Sequence, residues 1–297
     1  MPASLCLTFA MLLWGSSYIA LKYALLFYPP QWVMFGRMVI TLVACLLLWR
    51  WVKQYRYQTG DWKILSVMSL AEPCLYFLFE GHALQYTSAA QAGVLVSCLP
   101  IFVAILAWFT LKERVSRFIL FGFLLCISGG IGLSLVSPGS DYAPRPLLGN
   151  SLEMLAMLCA AVYTICVKKL AGRYSPLSLI AIQGFTGTLF FAPQAAMSEL
   201  PQQHDTASLL AVLYLGSVVT LGAYGLYNYA IVKISVLKAA AFSNLTPVFS
   251  LFLAILILGE QLNLWQGIAI ATVFLGVYIS QQHRQATPCD KVENASA

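Results

Sequence analysis

Ten apolar runs, each close to twenty residues, fill almost the whole of this chain: 4–25, 31–50, 63–84, 89–111, 117–136, 148–170, 175–196, 207–231, 236–258 and 263–281. A helix rising ~1.5 Å per residue crosses ~30 Å of hydrocarbon in about twenty residues, so each run has the length of a membrane span. Continuous apolarity favours helices over barrel strands, because a helix satisfies its own backbone hydrogen bonds where water is absent. Only 9% of residues are charged, against about 25% in a soluble domain, so the chain has little with which to cover a water-facing surface. The expected fold is an all-α membrane protein with ten transmembrane helices. Run 4–25 lacks a basic leader and nine more runs follow it, so it reads as a span and not as a cleaved signal.

Charge then orients the spans. With the N-terminus inside, one set of loops and the tail hold Arg50, Lys53, Arg56, Lys63, Lys112, Arg114, Arg117, Lys168, Lys169, Arg173, Lys233, Lys238, Arg284 and Lys291. The other side holds Arg145 beside Asp141, Glu199, Asp205 and Glu260. That asymmetry predicts a multi-pass protein of the cytoplasmic (inner) membrane with both termini cytoplasmic. The net charge of +6 is accounted for by orientation, so no nucleic-acid partner is implied. The polar segment 282–297 reads as a disordered cytoplasmic tail.

The chain also repeats itself. "SCLPIFVAILAWFTLKE" (97–113) and "NLTPVFSLFLAILILGE" (244–260) share Pro100/Pro247, Phe102/Phe249, Leu106/Leu253, Ala107/Ala254, Leu111/Leu258 and Glu113/Glu260. At nearly the same offset, Ala10/Ala156, Met11/Met157, Leu12/Leu158, Ile19/Ile165, Lys22/Lys168, Tyr28/Tyr174 and Pro30/Pro176 also coincide. Ordered matches at one offset argue for an internal repeat. Five spans per copy is an odd number, so the second copy enters the bilayer from the opposite side. The expected organisation is two inverted five-helix repeats, 4–136 and 148–281, around a central cavity, a plan that secondary transporters use for alternating access.

"LLWGSSYIALKYAL", "ALQYTSAAQAGVLVSCLPIFVAILAWFTLKE" and "LGEQLNLWQGIAIATVFLGVYI" resemble the EamA family of the drug/metabolite transporter superfamily, over roughly 5–281. The resemblance implies ten helices in two inverted bundles. It also implies a small-metabolite substrate, often an amino acid and usually exported, with spans 1, 3, 6 and 8 around the cavity.

Ionisable residues inside spans are expensive and default to functional roles. Lys22, Arg37 and Glu80 fall in the outer half and can form an ion-pair cluster, with interfacial snorkelling the alternative for Lys22 and for His82. Glu72 lies near mid-membrane before Pro73, with no basic residue at its level. Desolvation disfavours its charged form, which suits a proton carrier or a partner for a substrate amine; the alternative is a permanently neutral structural acid. Helical spacing lets Glu72, Tyr76 and Glu80 face one cavity together.

The candidate substrate-binding set is Trp14, Ser17, Tyr18, Tyr76, Ser97, Tyr163, Tyr224, Tyr227 and Asn244: aromatics with a few polar groups, suited to an amphipathic solute or a cation held by ring faces. Taken singly, each aromatic is as readily core packing or interface belt. Pro100 and Pro247 are expected to kink their spans and to free carbonyls four residues back, at Val96 and Ser243. Glu113 and Glu260 close their spans, as helix caps or as gates. Glycines in spans 5 and 10 read as close-packing surfaces.

The cysteines show no metal-ligand spacing, and the histidines (His82, His204, His283) fall on different segments. No phosphate-cradling glycine motif is present, so neither cofactor, metal nor enzymatic chemistry is implied. Three readings follow: a secondary transporter exporting a small polar or amphipathic metabolite such as an amino acid by alternating access, with Glu72 available for proton coupling; a carrier of organic cations using an aromatic cage and Glu72; and a membrane sensor or scaffold, for which the loops are short. The expected partners are a small-molecule substrate and membrane lipid, with the oligomeric state open.

Overall fold

In a computed structural model of the chain the described residues are 2–111, 117–136, 143–199, 205–234 and 236–281. Glu113 and the tail 282–297 lie outside them. The helices in chain order are α1 (Ala3–Leu25), α2 (Pro30–Leu47), α3 (Asp61–Tyr86), α4 (Ala89–Thr110), α5 (Arg117–Leu135), α6 (Pro146–Leu170), α7 (Pro176–Met197), α8 (Thr206–Lys233), α9 (Ala239–Leu258) and α10 (Leu264–Gln281). Their starts are written locally. Pro30, Pro146 and Pro176 occupy first-turn positions, where a missing N–H costs nothing. Ser88, Ser175 and Asp205 accept from the N–H groups of Gln91, Ser178 and Ser208. Gly259, at φ 65°, ends α9 in the left-handed conformation that glycine adopts without penalty.

The expectation of ten spans is corrected. Among the described residues eight helices, α1–α4 and α6–α9, are long and apolar enough to cross a membrane. Expected spans 117–136 and 263–281 are represented by the shorter apolar stretches Leu124–Leu133 and Leu264–Gly276. Among the described residues neither stretch supplies the roughly twenty apolar residues that cross the core. The division of ten spans into five and five falls with that count. The chain remains an all-α multi-pass membrane protein, and large apolar side chains such as Leu47, Phe109, Leu124 and Leu256 are exposed on its outside, where lipid replaces water.

Helix pairing has an internal correspondence. With the halves aligned at the repeat offset, α1 corresponds to α6, α2 to α7, α3 to α8, α4 to α9 and α5 to α10. The packed pairs α5–α10, α2–α7 and α4–α9 each map onto themselves, while α3–α6 maps onto α1–α8 and α4–α6 onto α1–α9. Glycines give the sense of two of these pairs. Gly122 faces Gly276 while Gly132 faces Ala269, so α5 and α10 run antiparallel; Gly184 meets Leu42 and Gly187 meets Met38, so α2 and α7 do as well. A β-carbon at Gly129 would stand 2.9 Å from the Val273 amide nitrogen, a contact that glycine alone permits. Together with α4, α5 and α10 bury a small core of their own around Cys98, Cys126, Ile270 and Val273.

The prolines sit differently from an interior kink. α4 breaks in a tight turn at Val96–Cys98, and Pro100 is the second residue of the next helical segment, Leu99–Leu111. α9 breaks before Leu245, and Pro247 is the third residue of Leu245–Leu258. First-turn N–H groups have no intrahelical partner in any helix, so both prolines mark restarts of a helix rather than bends within one. α3 breaks as well: Glu72 is extended (φ −149°, ψ 119°) and its peptide bond to Pro73 is cis. Proline disfavours the helical conformation of the residue before it, which places this break in the sequence itself.

Candidate functional site

The three broken helices converge on one small cavity of about 40 Å³. It is lined by Trp14, Ser17, Tyr18, Arg37, Glu72, Tyr76, Glu80, Val96, Leu99, Met157, Ala160, Tyr163, Thr164, Tyr224, Tyr227, Ser243 and Thr246. The structure thus brings together Glu72, Arg37, Glu80 and most of the candidate binding set. Val96 and Ser243, each four residues before a proline, are part of the lining. Ser97 is fully buried outside the lining, and Asn244 is half-buried with Ser243 and Thr246 lining the cavity in its place.

The aromatic rings touch one another. Trp14 lies 5.2 Å from Tyr224 and 5.0 Å from Tyr227, and Tyr163 lies 5.9 Å from Tyr224, centroid to centroid. Tyr163 donates to Asn228 Oδ1 at 3.0 Å, which holds its ring edge-on to Tyr224. The indole N–H of Trp14 is buried without an acceptor among the described residues.

The charged groups are ordered by specific partners. Arg37 donates from Nε to Thr220 Oγ1 at 2.9 Å, pairs with Glu80 Oε2 at 3.4 Å and stacks 3.9 Å above the Phe77 ring. Tyr76 donates to Glu80 Oε1 at 2.8 Å. Glu72 accepts from the Tyr224 hydroxyl. Lys22 does not join Arg37 and Glu80: it lines a separate vestibule of about 530 Å³ with Tyr23, Leu26, Ser88, Gln91, Ala143, residues 258–263 and Gln266, with the Glu260 carboxylate acting on it. The expected three-residue cluster is therefore a pair plus a distant lysine.

Glu260 is itself a cap. Its Oε1 and Oε2 accept from the N–H groups of Ala89 and Ala90 at 3.0 and 3.1 Å, so it closes the N-terminus of α4, in the other half of the chain.

Sequence reasoning passed over Glu153. Its carboxyl is 0% exposed; Oε1 accepts from the Tyr18 hydroxyl at 2.9 Å, and Oε2 has no hydrogen-bond partner among the described residues. The signal that finds it is an acid inside an apolar run, but it lies only a few residues into run 148–170 and so reads as interfacial.

At the other end of the bundle, loops are bridged to one another around a surface pocket of about 630 Å³ that includes Arg56, Arg173 and Tyr174. Arg173 Nη1 meets Asp61 Oδ1 at 2.5 Å and Gln58 Oε1 at 2.8 Å, and Tyr174 donates to Asp61 Oδ2 at 3.2 Å. Arg56 N–H reaches Arg173 O at 2.7 Å, Ser175 N–H reaches Gln54 O at 2.9 Å, and the Tyr55 and Tyr174 rings stack at 5.8 Å. Burial first, and then the Asp61 carboxylate, push the Tyr174 phenol up to about 12, which keeps it a donor at any physiological pH. This seam lies at the Asp61 end of α3 and the vestibule at its Tyr86 end, at opposite ends of a 26-residue helix.

A small buried cavity thus lies within the helical bundle, between an open vestibule and a loop-bridged end. The chain belongs to the EamA-like transporter family, which it matches over residues 1–135 and again over 147–281. It is 29% identical over 290 residues to an uncharacterized transporter of Archaeoglobus fulgidus, covering 94% of this chain and 98% of that one. It is also 29% identical over 221 residues to the uncharacterized transporter YetK of Bacillus subtilis, covering 73% and 67%. A protein of Streptantibioticus cattleyicolor named "Probable terminal-alkyne amino-acid exporter" is 23% identical over 248 residues, covering 83% and 82%. A crystal structure 21% identical to the chain shares the fold with TM-score 0.69, covering 94% of this chain and 96% of that one. The protein moves a small molecule across a membrane and is a transporter, not an enzyme.

Proposed function

We propose that the protein exports a small polar or amphipathic metabolite of the amino-acid class across the cytoplasmic membrane by alternating access, with Glu72 carrying a coupling proton. Two copies of the family unit, 4–136 and 148–281, make up the carrier. The observation that carries this reading is the cavity at the three helix breaks. It joins an acid (Glu72), a guanidinium (Arg37), an indole N–H (Trp14) unpaired among the described residues, and five tyrosines. An α-amino acid presents the complement: an ammonium for Glu72, a carboxylate for the Trp14 N–H and an apolar side chain for the rings. At about 40 Å³ the cavity has room for about one water, against the ~300 Å³ or more of a ligand pocket, so solute entry requires a second, open conformation. The positive-inside rule assigns the basic seam around Arg56 and Arg173 to the cytoplasm, with both termini; the conformation described is then closed inward, with its vestibule facing out. The exporter named above supports amino acids as the class.

The test is a retention screen. Cells expressing the native chain or Glu72→Gln are challenged with amino acids, purines and toxic amines. A solute whose intracellular level falls with the native chain alone identifies the cargo. Flux of that solute in proteoliposomes that is equal in the variant, with the same pH dependence, removes Glu72 from the mechanism. The contacts of Trp14 with Tyr224 and Tyr227 favour a second reading, an organic cation held in an aromatic cage over Glu72; selective retention of amines in the same screen distinguishes it.

A further inference from the structure

A second concentration of charge lies in the surface pocket of about 630 Å³ at the Asp61 end of the bundle. Lys53 and Arg56 enter it from the α2–α3 loop, Arg173 from the α6–α7 loop and Lys233 from the end of α8, and no acid is among its described lining residues. Asp61 pairs with Arg173 at 2.5 Å and offsets that charge. The other three cations have no such relief. Lys53 Nζ stands 5.2 Å over the Trp49 ring, and Lys233 Nζ donates to the Tyr229 hydroxyl and lies 4.0 Å from that ring's centroid. The Arg56 main-chain N–H is engaged with Arg173 O, but its guanidinium has no partner among the described residues. All three are exposed, and none meets a carboxylate among the described residues. Like charges gathered without a counter-ion repel one another, so an anion in this pocket relieves all three.

The surroundings select the anion. Trp49, Trp51, Tyr57 and Trp62 are exposed at the same end of the bundle, and tryptophan and tyrosine collect where a membrane protein meets the lipid headgroups. Val232, exposed beside Tyr229, gives the pocket an apolar wall on the α8 side. A phospholipid presents the complement: a phosphate for the fork of Arg56 and the two ammonium groups, and the root of an acyl chain for Val232. Basic pockets between helices at this level suit anionic headgroups. A choline or ethanolamine headgroup would instead bring another positive charge to Lys53, Arg56 and Lys233.

We propose that this pocket binds the phosphate headgroup of an anionic phospholipid, and that the bound lipid ties the two loops of the seam together. Its cations come from both family-matched segments of the chain, Lys53 and Arg56 from the first and Lys233 from the second. A phosphate held by both adds to the two main-chain bonds, Arg56 N–H to Arg173 O and Ser175 N–H to Gln54 O, that already join the loops. The site rests on these charges and not on the identity of the solute, so it stands or falls apart from the export reading.

The test is native mass spectrometry of the full chain titrated in detergent with phosphatidylglycerol or phosphatidylcholine. We expect phosphatidylglycerol to bind more tightly, and its binding to weaken about five-fold in Arg56→Ala and in Lys233→Ala. Lys63→Ala, which removes a cation at the same end but outside the pocket, should leave it unchanged. Arg56→Ala keeps the main-chain bond to Arg173 O, so the loops stay joined in the variant. Equal affinity for the two lipids overturns the site, and a loss in Lys63→Ala as large as in Arg56→Ala reduces it to a general basic face. Displacement of phosphatidylglycerol by inorganic phosphate, beyond that by chloride of equal ionic strength, overturns the lipid as the ligand. For the tie between loops, a cysteine introduced at Thr164 in a background without native cysteines should be labelled more slowly in phosphatidylglycerol bilayers than in phosphatidylcholine ones, and Arg56→Ala should abolish that difference. A difference that is absent, or that survives Arg56→Ala, overturns the tie.

Discussion

Replacing Arg37 with Met removes the cation that faces Glu80 and keeps much of the side-chain volume over Phe77. At 3.4 Å and an effective dielectric constant of about 20, the attraction between the two charges is ~5 kcal/mol. Both side chains are nearly sealed from solvent, 2% and 4% exposed, so the pair escapes the screening that makes surface ion pairs weak. Arg37→Met leaves Glu80 with the Tyr76 hydroxyl as its hydrogen-bond partner, and a buried charge stripped of its partner typically costs ~3–5 kcal/mol. That range lowers the folding equilibrium at least a hundredfold. Glu80→Gln strands Arg37 with Thr220 Oγ1 and the Phe77 ring and is expected to cost a similar amount. The double variant contains neither charge, so its loss should be far smaller than the sum of the single losses. The assay is a reversible unfolding titration of the full chain in bicelles for all four members of the cycle. Single losses below ~1 kcal/mol, or losses that add within ~0.5 kcal/mol, would refute the argument that this pair is buried and coupled.

Other predictions follow from particular contacts. Arg173→Ala removes the bonds to Asp61 and Gln58 and, for a partly exposed pair worth at most about 1 kcal/mol, should raise a few-fold the labelling rate of a cysteine introduced at Thr164 in a background without native cysteines; an unchanged rate would show that the seam does not limit access. Gly149→Ala places a β-carbon 2.7 Å from the Thr87 amide nitrogen and 2.8 Å from Ala83 O, which should cost ~1–3 kcal/mol in the same titration. Gly267→Ala meets nothing within 4 Å and should be close to neutral. Glu260→Ala uncaps α4 and should cost ~1–2 kcal/mol, most of it restored by Glu260→Gln, whose amide oxygen can still accept.

The helices were legible in the sequence because their apolar length is a property of each residue taken separately. α5 and α10 were read as spans on the same ground, but among the described residues only Leu124–Leu133 and Leu264–Gly276 stand as apolar helix there. The convergence on the cavity was partly legible. Helical spacing alone placed Glu72, Tyr76 and Glu80 on one side, and the repeated proline pointed to Val96 and Ser243. What composition could not carry was pairing across the fold. Lys22 and Glu80 stand at similar heights in their helices, but only the packing of α1 against α9 and α4 sends Lys22 to the vestibule. Glu153 was not singled out because a place a few residues into its run reads as interfacial, whereas the structure buries it against Tyr18.

The Glu260 cap has a mechanical consequence. Two peptide N–H groups from one half of the chain are anchored on a carboxylate from the other, at the rim of the vestibule. Separating the halves there would strand both donors and an acid at once, so this rim is the stiff side of the mouth. An opening motion that keeps both bonds pivots at this rim, as a door does on its jamb.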